Sequence, residues 1–104
     1  MRWEIGDVVV TKVIEIEQAL PVASLVPGAT PEALAPHMAW LAPHFADADG
    51  MTLLSIHSLV VESEGRRILV DTCVGDRAIP GLEALRGPSD FPARLASAGF
   101  PVED

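Results

Sequence analysis

Cysteine and positive charge are both scarce in this 104-residue chain. A single cysteine, Cys73, excludes an internal disulfide and a multi-thiolate metal site, and it fits a reducing compartment. Seven lysines and arginines stand against fifteen acids, and the resulting charge of −8 opposes any sequence-independent hold on nucleic acid or anionic lipid. Neither nucleic acid nor membrane is therefore expected as a partner. No apolar run approaches the ~20 residues of a membrane span. The opening MRWEIGDVVV carries Glu4 and Asp7 where a signal peptide needs an uninterrupted apolar run, so the expected compartment is the cytoplasm. No internal repeat or low-complexity tract is visible.

What the chain has is apolar mass, 49% of its residues, enough for the core of one small domain. Gly6-Asp7 signals a turn, and the β-branched run from Val8 to Glu17 reads as a strand. Its even positions, Val8, Val10, Lys12, Ile14 and Ile16, form the more apolar face, so that face is expected to be buried and the odd face partly wet. Pro21, Pro27 and Gly28 make Ala19 to Thr30 a loop. Thr30-Pro31-Glu32 starts a helix: Thr30 caps, Pro31 suits the first helical position and Glu32 favours the positive end of the dipole. Pro36 and Pro43 keep it short, around Pro31 to Ala35, with a resumption near His37 to Leu41.

A hairpin follows the polar turn HFADADG, with strands near Thr52 to Glu62 and Arg66 to Asp71 and a turn at Ser63-Glu64-Gly65. Apolar residues on both faces of its first strand, Leu53, Leu54, Ile56, Leu59, Val60 and Val61, predict a strand covered on both sides. Arg77 to Pro88 reads as loop. A second helix is predicted from Ser89 or Asp90 to Ala98, with Phe91, Leu95 and Ala98 on one face and Gly99 ending it. Three strands and two short helices leave one sheet face without a covering layer, which predicts either dimerisation or a chain that continues beyond these residues.

The chemistry-bearing residues are few. His37, His44 and His57 lack the close spacing that lets two imidazoles grip one ion, and a structural or surface role is expected for each. Asp47-Ala48-Asp49-Gly50 resembles the middle of a calcium loop, but Phe45 and Ile56 occupy positions where that loop needs oxygen ligands. A turn capped by Asp side chains is expected instead. Cys73 has no His and acid arranged around it and reads as a small apolar residue. Gly75, Asp76 and Gly81 do not make a phosphate loop. Asp71 stands apart, because an acid directly after Ile68-Leu69-Val70 needs a partner to justify its desolvation. It either caps loop N–H groups from Cys73 to Gly75 or serves beside an active site.

Taken in order, Gly6-Asp7-Val8, Trp40-Leu41-Ala42-Pro43-His44-Phe45, Asp47-Ala48-Asp49-Gly50, Ser58-Leu59-Val60-Val61-Glu62 and Ile68-Leu69-Val70-Asp71-Thr72-Cys73-Val74-Gly75 resemble the N-terminal part of metallo-β-lactamase-fold hydrolases. The branch with lactonases and organophosphate hydrolases is the most similar. The resemblance covers the whole chain and implies an α+β fold, part of an αββα sandwich, with residues 1–104 forming the incomplete N-terminal part of one domain. It implies that Asp71 orders the loops around a metal site without being a ligand itself, fixing ligand geometry from outside. Trp40, His44 and Phe45 would line the substrate entrance, or else anchor their loop on the sheet.

The family's His-x-His-x-Asp-His motif has no match here, nor do its later ligands. The motif is expected beyond a strand following Glu103-Asp104. The intact parent would be a hydrolase of ester, lactone or phosphoester bonds using two zinc ions on a small-molecule substrate. This chain alone would bind no zinc and be inactive, its partner being the C-terminal remainder of the fold. The competing expectations are a stand-alone binding or interaction module that dimerises, and one piece of a split enzyme.

Overall fold

The protein is described by a computed structural model covering residues 1–81, 83 and 88–103. Gly87 and Asp104, and most of the expected loop's second half, lie outside the described residues. Four strands form one antiparallel sheet in sequence order: β1 (Arg2–Ile5), β2 (Val8–Pro21), β3 (Met51–Ser63) and β4 (Arg66–Val70). Among the described residues three short helices complete it, α1 (Pro31–Leu34), α2 (Met38–Leu41) and α3 (Phe91–Ser97), with 3-10 turns at Val22–Ser24 and Ala35–His37. The architecture is thus a small α+β fold. No helix among the described residues is long and apolar enough to cross a membrane.

Local chemistry accounts for most of these boundaries. Thr30 caps α1 through its side-chain oxygen, which accepts from the N–H of Ala33 at 3.2 Å, and Pro31 sits at the first helical position. The β3–β4 hairpin closes in two residues, Glu64 and Gly65, both with positive φ (50° and 73°), as a tight turn matched to the strand twist requires. Asp47 Oδ1 accepts from the N–H groups of Asp49 and Met51, both at 2.9 Å, so the acidic turn is held by Asp side-chain capping. Ser89 Oγ accepts from the Phe91 N–H at 3.2 Å at the head of α3, and Gly99 (φ 95°) ends that helix.

Two elements differ from the sequence expectation in extent. Arg2–Ile5 pairs with Val8–Thr11 and makes a fourth strand, since a turn at Gly6-Asp7 with apolar residues on each side is itself a hairpin signal. β2 runs on to Pro21, because β3 is long enough to pair with it from Glu62 down to Met51. Proline is tolerated there because β1 pairs only with Val8–Thr11, so this end of β2 is a sheet edge.

The core lies on one face of the sheet, where α3 crosses it. Val13 of β2, Val60 of β3 and Phe91 and Leu95 of α3 form the buried cluster, with Cys73 and Phe100 against its edge. Ala98, expected on the same helix face, is exposed. This placement reverses the expected burial of β2. The odd positions Val13 and Glu15 are buried, while the even-numbered Val10 and Lys12 lie on the opposite face with Trp3, His57 and Leu59. Lys12 marks the even face as the one that reaches water, and α3 takes the other. β3 is an interior strand as expected, but among the described residues only α3 covers it, on one side. β4 is an edge, and all five of its residues are exposed.

Candidate functional site

The loop from Asp71 to Gly75 gathers the polar groups of the core. It leaves β4 through two non-glycine residues in the left-handed region, Asp71 (φ 66°) and Cys73 (φ 61°), a conformation that costs on the order of 1 kcal/mol or more per residue and needs outside support. Three side chains supply it. Asp71 turns back on its own loop, its Oδ1 accepting from the Cys73 N–H at 2.7 Å. Ser58, fully buried on β3, donates its hydroxyl to the Asp71 carbonyl oxygen and lies 3.3 Å from the Cys73 sulfur.

Glu15 is the third support and the most connected. Its carboxylate is only 5% exposed and accepts from Val74 N–H, Gly75 N–H and Ser89 Oγ–H, at 2.9, 2.9 and 2.6 Å. Every one of these partners lies 59 to 74 residues away in sequence. Asp76 adds a parallel tie, its Oδ1 accepting from Ser89 N–H at 2.6 Å. One carboxylate therefore joins β2, the loop and the head of α3, and a buried acid is tolerated because both of its oxygens are occupied by donors.

The capping expected of Asp71 is divided between two acids. Asp71 takes Cys73, and Glu15 takes Val74 and Gly75. Asp71 is itself exposed, so the desolvation argument made for it belongs to Glu15. Alternation in β2 put Glu15 on the wetter face. That face is the one α3 covers, so Glu15 is buried beside Val13, and the bulge between Ile14 and Ile16 sends Glu17 instead to the open face with Lys12. A lone acid within a β-branched run is the signal that was available.

Cys73 is half-buried, and burial is the main cause that pushes its thiol above the ordinary value of 9.0. The nearby Ser58 hydroxyl works against this, while the negative charges of Glu15 and Asp71 add to it. A thiol held protonated is a poor nucleophile.

Trp40, His44 and Phe45 belong to a different part of the molecule. Trp40 stacks edge-on with His37 and with Phe45, at ring centroid distances of 6.1 and 6.4 Å, beside the α1–α2 loops near the Pro21 end of β2. Trp40, His44 and Phe45 are all exposed, and Phe45 is tied to the sheet by its backbone, its carbonyl accepting from Leu53 N–H at 3.1 Å. No hydrogen bond or ring contact found among the described residues joins this cluster to the Asp71 loop. His57 lies on the open sheet face, its Nδ1 3.0 Å from Ser55 Oγ.

Among the described residues no three His, Cys, Asp or Glu side chains come together as a metal set, and the carboxylate best placed for one, Glu15, has its oxygens already engaged by donors. What the arrangement does chemically is hold a strained loop in one conformation at the free end of β4. Compared with known families, curated proteins and solved structures, the chain matches no family model, no curated protein and no solved structure.

Proposed function

We propose that this chain is the N-terminal part of a metallo-β-lactamase-fold hydrolase, acting on an ester, lactone or phosphoester, in which it supports a two-zinc site whose ligands lie outside these residues. The observation that carries this reading is the Asp71–Gly75 loop: an exposed carboxylate at the end of an edge strand, on a left-handed backbone braced from beneath by Glu15 and Ser58. A loop whose only task was to link β4 to α3 would not need two non-glycine residues held at positive φ, and strain of that kind is more often kept where geometry matters to function. Asp71 would then order the rim of the metal site, and the exposed Trp40–Phe45 cluster would contribute to the substrate entrance.

Three measurements test this. The coding sequence after the codon for Asp104 should continue into a strand and a His-x-His-x-Asp-His motif, and in that longer protein Asp71→Asn should lower retained zinc. The 104-residue chain should take up no stoichiometric zinc in a calorimetric titration. A stop codon after Asp104, tight one-to-one zinc binding by the short chain, or unchanged zinc in the Asp71→Asn enzyme each counts against the proposal, the last leaving Asp71 as a plain loop cap.

A further inference from the structure

The sheet has two faces, and α3 covers one of them. Pairing registers place the other. Trp3 lies opposite Val10, Lys12 opposite Leu59, Leu59 opposite Val70 and Val61 opposite Ile68, and directly opposed residues share a face. Trp3, Ile5, Val10 and Leu59 line one shallow depression on it, and Ile68 and Val70 extend it across β4. Ile5 and Ile68 are 67% and 51% exposed, values far above those of a covered sheet face.

Charge on this face differs from charge on the rest of the molecule. Among the strands it carries the Lys12–Glu17 ion pair, at 3.9 Å, and Arg66 beside the hairpin turn. The other strand acids, Glu4, Glu15 and Glu62, align with Val9 and Val13 on the opposite face or are buried there. A chain of net charge −8 has thus left one broad surface apolar and without excess negative charge. Lys12 is paired by Glu17 and His57 Nδ1 lies 3.0 Å from Ser55 Oγ, so the polar groups at the centre of the face already have partners within the chain, and Arg66 lies at its rim beside the hairpin turn.

We infer that this face is a self-association surface and that its occupant is a second copy of the chain. Two such faces meet as aligned sheets about 10 Å apart, with side chains from each interleaving. A two-fold axis makes the contact self-complementary, and the absence of excess acid lets two negatively charged chains approach this way. The area is adequate. Four strands spaced ~4.8 Å, with β2 and β3 reaching beyond the outer pair, present about 600 Å² in projection. Side-chain relief raises that toward the roughly 800 Å² that each partner gives to a standard interface. The inference rests on the sheet face alone and does not depend on the hydrolase reading.

Sedimentation of the 104-residue chain tests it. The expected result is a particle of twice the 11.0 kDa chain mass across the micromolar range. Ile5→Glu and Ile68→Glu should each halve the sedimenting mass with an unchanged circular dichroism spectrum, while Ala93→Glu, on the exposed side of α3, should leave the dimer intact. Should a glutamate variant unfold, the fluorescence of Trp3 in a Trp40→Phe background gives a second readout, because dilution of a dimer would shift its emission toward the red. A monomer throughout that range, a dimer that survives both glutamate substitutions, or Trp3 emission independent of concentration overturns the inference. None of those outcomes bears on zinc uptake or on the sequence beyond Asp104, so the two proposals fail separately.

Discussion

Replacing Glu15 is the sharpest test of how this fold is held. Glu15→Ala removes three hydrogen bonds to a charged acceptor at once and leaves the Val74 and Gly75 N–H groups facing a small cavity. Each such bond is worth about 1.5–3 kcal/mol, but bonds sharing one carboxylate are not additive, and the expected loss is about 3 kcal/mol. For a domain of this size that is a large fraction of a total of roughly 5–10 kcal/mol. Glu15→Gln keeps the shape but turns an amide NH2 toward a backbone donor, and about 2 kcal/mol should be lost.

Urea unfolding followed by tryptophan fluorescence measures both values, with an unchanged denaturant slope as the sign that only stability has moved. A local readout comes from Cys73, the only thiol in the chain and the neighbour of Val74. Its alkylation under native conditions should speed up about tenfold or more in Glu15→Gln, since about 1.4 kcal/mol of lost loop stability is a factor of ten. Leu20→Ala, in the buried part of β2 away from the loop, supplies the control for global destabilisation. Stability within ~0.5 kcal/mol of the parent in both Glu15 variants, together with an unchanged thiol rate, would refute the bracing role.

Ser58→Ala removes the donor to the Asp71 carbonyl at a fully buried position, and thermal unfolding should report a loss of about 1–2 kcal/mol. Phe91→Ala opens the core under α3 and should cost about 3 kcal/mol by the same assay, with near-ultraviolet dichroism showing whether the rest stays packed. The pH dependence of Cys73 follows from its raised folded-state value: the native state binds the thiol proton more tightly than the unfolded chain, so this contribution is complete below about pH 9.0 and declines as pH rises through the folded value. Urea midpoints of the parent should therefore fall more steeply above that pH than those of Cys73→Ala, and alkylation should stay slow until the same range is reached. Parallel midpoint curves would show that the thiol titrates as it does in the unfolded chain.

Local signals in this chain were legible where one residue decides one conformation. Thr30-Pro31, Gly65 and Gly99 each name a boundary, and each boundary falls where those residues put it, because capping and left-handed backbone are settled within a few positions. The hairpin strands were legible for the same reason. Which face of β2 is buried was not, because that choice belongs to α3, some 75 residues further on, and Val13 and Lys12 are read correctly only once Phe91 and Leu95 have chosen a side.

Glu15 combines both difficulties. Alternation places it with Val13 on the side α3 covers, and would place Glu17 there too, yet the bulge at its position turns Glu17 to the open face, where it pairs with Lys12. The two acids differ by two positions in sequence and by an entire environment in structure. What separates them is the set of donors available, since Val74, Gly75 and Ser89 offer three to Glu15 and no other acid on β2 meets them. The bulge thus separates the two acids: without it Glu17 would follow Glu15 onto the covered face, and without the Glu15 carboxylate the loop would lose one of the three side chains that brace its left-handed backbone.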